Sequence, residues 1–217
     1  MIVPPSLLFQ YQLAVPRIDG IPRAKGTLLD LPEASTLFVP SSLQGLDSHL
    51  QLRLAWNTNG LGLRVDVGGK KLTPSGRRRD LRSSDHIQVF VDTRHTANVH
   101  RATEYCSAVV VLPSDDDEDD QPTVAFVEIA QQRVTRNDRS GNKCRAKLQL
   151  RDVGYSLELW LPASQLPGFA DVAEIGHLGF YLIVEDTELG QLPLSIGGDF
   201  PVSYDPSTWL QLHLLPA

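Results

Sequence analysis

The side chains best suited to chemistry gather in one short polar stretch: Asp92, Arg94, His95, Asn98, His100, Arg101 and Glu104. Carboxylates and guanidinium forks both recognise vicinal hydroxyls or phosphate, so Asp92, Arg94, Arg101 and Glu104 are candidates for a sugar or anion site. The same residue types also build salt-bridge networks that pin a loop to its scaffold, and that alternative stands beside the first. Asp186 and Glu188 lie close in sequence to Gly197, Gly198 and Asp199. With Asp92 they are candidate oxygen ligands for calcium, which takes about six to eight, although their spacing matches no calcium motif. His95 and His100 have no helix to align them, and His-Glu-x-x-His is absent, so no metal-ligand spacing is seen.

Signatures of catalysis are missing. The chain has no Gly-x-Ser-x-Gly elbow, no P-loop and no Gly-x-Gly-x-x-Gly opening a helix. Paired carboxylates for glycoside hydrolysis are a spatial feature, and no pair is singled out. The expectation is a non-catalytic chain with no catalytic residues.

The polar stretch must be held by the element before it. From His86 to Asp92, Ile87, Val89 and Val91 alternate with His86, Gln88, Phe90 and Asp92. Period two predicts a half-buried strand that delivers the polar loop. The same alternation runs through Leu50–Trp56 and Leu61–Val67 around the turn pair Asn59-Gly60, which predicts a β-hairpin. A second hairpin is predicted from Cys144–Leu150 and Tyr155–Leu161, turning through Asp152, Val153 and Gly154. Further strands are expected at Leu7–Val15, Ser35–Val39, Tyr105–Leu112, Thr123–Ile129, His177–Glu185 and Trp209–Leu214. Pro162–Phe169 is read as one helical turn and Leu189–Tyr204 as irregular. Roughly nine to eleven strands with almost no helical periodicity predict an all-β fold, an antiparallel β-sandwich. One domain over residues 1–217 is expected, with 1–48 as an N-terminal strand or arm.

Net charge is −6, and Asp115–Asp120 holds six of the 26 acidic residues, so without that run the charge is about zero. Residues 114–122 are expected to form a solvated, mobile acidic loop. The acidic balance argues against non-specific nucleic-acid binding. No stretch approaches the roughly 18 apolar residues of a membrane helix. Cys106 and Cys144 are the only cysteines and have no Cys-x-x-Cys spacing, so reduced thiols are expected. The N-terminus lacks a basic region and its apolar run is broken by Pro4 and Pro5, which points to a cytoplasmic location.

Five motifs recur in a telling order: Trp56-x-x-x-Gly60-Leu61, then Ser84-Asp85-x-Ile87-x-Val89-Phe90-Val91-Asp92, then Tyr155-x-Leu157-Glu158-Leu159-Trp160-Leu161-Pro162. Leu178-Gly179-Phe180 running to Glu185-Asp186 and Asp205-Pro206-Ser207-x-Trp209 complete the set. Over Leu50–Leu214, about three quarters of the chain, this order resembles the carbohydrate-binding module of family nine and the wider DOMON-like sandwich domains. It looks most similar to stand-alone members from planctomycete-type bacteria. The resemblance implies a β-sandwich whose relatives bind sugars, often at chain ends, through a pair of aromatic rings and hydrogen-bonding side chains. Some relatives hold haem with an axial methionine, but the only methionine here is Met1, so haem is not expected.

Trp160 shares a strand face with Ser156 and Glu158, opposite Tyr155, Leu157, Leu159 and Leu161. With Phe90 it is the candidate aromatic pair. Gln88, Glu158, Arg64 and the Asp92–Glu104 loop would supply polar contacts. The alternative is that the N-terminal arm covers this face and makes Trp160 a core residue; Trp56 and Trp209 are read as structural. Two functions follow. One is a carbohydrate-binding module; the other is a cytoplasmic protein-interaction or scaffold domain that keeps the fold without a sugar site.

Overall fold

The computed structural model describes residues 9, 11–44, 49–96, 98–114, 121–134 and 141–216. Among them the chain forms twelve strands. In order these are β1 (Gln12–Val15), β2 (Thr36–Leu37), β3 (Leu50–Asn57), β4 (Gly60–Gly68), β5 (His86–Asp92) and β6 (Cys106–Leu112). Then come β7 (Thr123–Val127), β8 (Arg145–Leu150), β9 (Gly154–Pro162), β10 (His177–Asp186), β11 (Gly190–Pro193) and β12 (Leu210–Leu214). A single α-helical turn, α1 (Val172–Ile175), sits between β9 and β10. The acidic run Asp115–Asp120 and Met1 lie outside the described residues.

The alternating sequences resolve into two sheets. One runs β1-β12-β10-β5-β6-β7 with β11 on β10, and the other runs β2-β3-β4-β9-β8. All pairings are antiparallel except β1 against β12. Both predicted hairpins form, with Asn57 opposite Gly60 in one and Leu150 opposite Tyr155 in the other. The facing apolar rows fill the space between the sheets: Leu63, Val65, Leu157 and Leu159 from one, Val89, Val109 and Leu182 from the other. This all-β sandwich is the expected fold class.

The predicted half-buried strand is instead covered on both faces. Phe90 packs against Trp209, with ring centroids 5.5 Å apart, and the hydroxyl of its cross-strand neighbour Tyr181 donates to the Ile196 carbonyl. The segment leading into β12, read as irregular, therefore caps β5 from outside, and it also holds β11, which the reading lacked.

The outer face of the second sheet is covered at one end only. The arm leading from β1 toward β2 lays Ile21, Leu28, Leu29 and Leu31 over Ala55 and Trp160 as a small second core. Gly62 lies under this lid, where an added Cβ would stand 3.1 Å from Leu29 Cδ2 and the leucine methyl would have to yield by a few tenths of an ångström. Beyond the lid the face stays open and polar, because the rows there carry charge.

Candidate functional site

Strand register sets the open face. Glu158 on β9 stands opposite Arg64 on β4 and opposite Lys147 on β8. The next row reads Asp66, Ser156, Gln149. Alternation forces all six onto one side, since their neighbours Val65, Leu157 and Leu148 face inward.

Glu158 is only 6 % exposed. Its Oε2 accepts the amide of Leu28 at 2.8 Å and that of Leu29 at 3.4 Å, which clamps the arm onto the sheet. Its Oε1 is buried with no hydrogen-bond partner among the described residues. An unmatched buried acceptor costs on the order of 1–3 kcal/mol, more when charged, so this oxygen is an unmet demand for a donor. Arg64 does not meet it: Nε bonds both Asp66 oxygens at 3.1 Å and Nη2 donates to Ser156 Oγ at 3.2 Å. Lys147 does not either, since its Nζ donates to the Gly26 carbonyl at 2.7 Å. Asp66 also takes Arg151 and the Ser156 hydroxyl. Burial works to raise its pKa, but the bonds from Arg64 and Ser156 and the charges of Arg64 and Arg151 outweigh that and hold it below the ordinary value.

Between the arm and β8 these side chains enclose a cleft of about 300 Å³, lined by Thr27, Arg64, Lys147, Gln149, Ser156 and Glu158, with Leu148 at its side. It offers hydroxyl, amide, ammonium and guanidinium donors around a buried free acceptor, the inventory that reads a polyhydroxylated ligand. A wider groove of about 610 Å³ runs between β7 and β8, but its lining holds one charged residue, Arg78, and none of the buried unpaired atoms found among the described residues.

The predicted ligand set is thus divided three ways. Arg64 and Glu158 meet in the cleft, with Trp160 one row away but 3 % exposed beneath the arm. Phe90, also 3 % exposed, lies in the other sheet against Trp209, so the two rings belong to separate clusters and form no aromatic platform. Gln88 shares Phe90's face and bonds His86 at 3.0 Å.

Among the described residues, the Asp92–Glu104 loop is fastened by hydrogen bonds and one exposed ion pair rather than by a buried salt-bridge network. Asp92 Oδ1 accepts the Arg94 amide at 3.0 Å. Arg94 pairs with Asp171 at 2.6 Å and stacks 4.5 Å over the Tyr105 ring. Arg101 donates to the Gln131 carbonyl, and Glu104 is exposed on the surface.

The calcium trio does not converge. Asp92 pairs with Gly179 at one end of β10, while Asp186 closes the other end. Asp186 Oδ1 is taken by Lys70 Nζ at 3.0 Å and by the amides of Glu188 and Leu189. Glu188 accepts the amides of Lys71 and Leu72. Lys70, fully buried, also bonds Asp85 at 3.1 Å, so an ammonium stands where a cation between these carboxylates would sit. Among the described residues no three His, Cys, Asp or Glu side chains gather as metal ligands.

Lys147, Gln149, Asp66 and Thr27 were missed. The first two were within reach: centring the second hairpin on Asp152 and Val153 places Lys147 opposite Glu158. Thr27 carries no such signal, because its arm follows no period.

No family model matches the chain, and no curated protein does. Solved structures do. A family 9 carbohydrate-binding module from Caldicellulosiruptor kristjanssonii in complex with cellotriose is similar with a TM-score of 0.58 and 12 % identity, over 95 % of each chain. The glucose complex of a family 9 module from that organism gives 0.56 and 14 %, over 95 % of this chain and 97 % of that one. A protein from Bacteroides uniformis ATCC 8492 proposed to bind carbohydrate gives 0.53 and 13 %, over 94 % and 99 %. Likeness at such identities speaks for the architecture: the chain has the fold of the family 9 carbohydrate-binding modules.

Proposed function

We propose that this protein is a non-catalytic saccharide-binding module whose ligand sits in the Glu158 cleft. The observation that carries the reading is Glu158 Oε1, a buried acceptor without a donor among the described residues, on a side chain that lines the cleft with Arg64, Lys147, Gln149 and Ser156. The bound cellotriose and glucose of the similar structures support the ligand class. The test is tryptophan fluorescence during titration with mono- and oligosaccharides, because Trp160 lies one row from Glu158. A saturable change in the native chain, lost in Glu158→Gln, supports the reading; a flat trace from folded protein across the panel refutes it.

One observation favours the second reading, a protein-interaction domain. Phe9 and Phe38 are 62 % and 47 % exposed and flank Tyr11, with ring centroids 6.3 and 6.0 Å from it. Loss of partner capture in Phe38→Ser, with saccharide titrations flat, is the outcome that reading expects.

A further inference from the structure

We infer that the saccharide taken by the cleft carries an anionic group, a uronic acid being the simplest case; this rests on the saccharide reading above and names its ligand class. The argument begins with an imbalance. Five cations stand on or beside this face, Arg53, Arg64, Arg145, Lys147 and Arg151, against two carboxylates, Asp66 and Glu158. β8 reads Arg-Ala-Lys-Leu-Gln-Leu and contains no acid, in a chain whose net charge is −6.

The cations differ in how far they are spent. Arg64 and Arg151 share Asp66. Lys147 has no carboxylate within ion-pair distance among the described residues, although Glu158 is its direct cross-strand neighbour. Glu158 has turned its other oxygen to the arm amides, and Lys147 gives one N–H to Gly26. Two ammonium donors and a full charge therefore remain at the cleft wall, on a side chain exposed to solvent.

Glu158 Oε1 and Lys147 Nζ thus ask for opposite partners on adjacent strands, about 4.8 Å apart. A neutral sugar satisfies the first with a hydroxyl and leaves the second to water. A pyranose bearing a carboxylate satisfies both, its hydroxyl donating to Glu158 and its carboxylate facing Lys147 and Nη1 of Arg64, which makes no bond among the described residues. Lys147 is exposed, so this preference is open to screening by salt.

Calorimetric titration of the full chain with D-glucuronate and D-galacturonate, beside D-glucose, D-galactose and sodium acetate, tests this at 20 and 200 mM salt. The expected result is uronate binding about tenfold tighter than the neutral sugar at low salt, the scale of one charge-assisted hydrogen bond. That margin shrinks at high salt and disappears in Lys147→Met, read as the ratio of uronate to neutral-sugar affinity within the variant. Equal affinity for neutral and anionic sugars overturns the inference and leaves the saccharide reading standing. Acetate matching the uronates overturns it too, since the ring would contribute nothing. Binding of no sugar at all removes the reading beneath it.

Discussion

Glu158 Oε2 accepts the Leu28 amide at 2.8 Å across 130 positions of sequence, so one carboxylate both fastens the arm and floors the cleft. Replacing it with alanine frees the arm from its clamp and opens the small core over Trp160. We expect Glu158→Ala to lose about 2–3 kcal/mol of stability in urea unfolding, from charge-assisted bonds to two amides. Its tryptophan emission should shift to the red and become more open to acrylamide. An unshifted spectrum would mean that the apolar contacts of Ile21, Leu28 and Leu29 hold the arm by themselves.

Lys70 ties Asp85, just before β5, to Asp186 at the end of β10. Burial works against its charge, yet the bonds to Asp186 and Asp85 outweigh that and raise its pKa. Asp85 is lowered: burial opposes this, but the amides of Thr187 and Ser75 and the Lys70 bond prevail. Removing one partner of a buried pair strands the other, so Lys70→Met should cost about 3–5 kcal/mol at pH 7. The Asp85 contribution is present above its ordinary value of 3.8 and lost as pH falls through the lower folded value. The gap between the native chain and Lys70→Met should therefore narrow on acidification toward that range, as read from urea midpoints.

His95 sits at φ 37° with its ring 6.3 Å from that of His177. Burial depresses its pKa, with the Asp92 charge opposing and His177 adding to the effect. A depressed histidine stabilises the fold above its ordinary value of 6.5 and loses that contribution as pH falls below it. His95→Asn keeps a residue that tolerates positive φ and removes the titration. Its Tm should vary less between pH 7.5 and 5.5 than the native Tm; parallel profiles would contradict the assignment.

Burial, with the Asp92 charge nearby, pushes the Cys106 thiol up to about 12, while Cys144 is half-buried. Thiolate is the reactive form, so Cys106 should stay silent in the native fold. Ellman's reagent at pH 8 should titrate one thiol in the folded chain, none in Cys144→Ser, and two after unfolding in urea.

The fold was legible wherever period two met a turn signal. Leu50–Val67 around Asn59-Gly60, and Cys144–Leu161 around Asp152 to Gly154, form the expected hairpins, the second with its first strand starting at Arg145. What escaped depends on contacts between distant segments. The cover over Phe90 comes from residues near Ile196 and Trp209, and that over Trp160 from Ile21 to Leu31, so β5 and the Trp160 end of β9, which alternate like half-buried strands, are covered on both sides. Such cover has no local period. Of the candidate site, Arg64 and Glu158 were found because both point outward from long alternating strands. Lys147 was missed because its place is set by register across the hairpin, and the bonds of the Asp92–Glu104 loop to Asp171 and Gln131 had no local signal because those residues come from elsewhere in the chain.

The most direct measurement is an amide correlation spectrum of the isotope-labelled chain, titrated with D-glucuronate and D-glucose, native against Glu158→Gln. The account predicts saturable shifts confined to Thr27–Leu29, Lys147–Gln149 and Ser156–Glu158, absent in the variant. Shifts centred on Arg94–Glu104 or on Phe9, Tyr11 and Phe38, or an unchanged spectrum with every sugar, would contradict it.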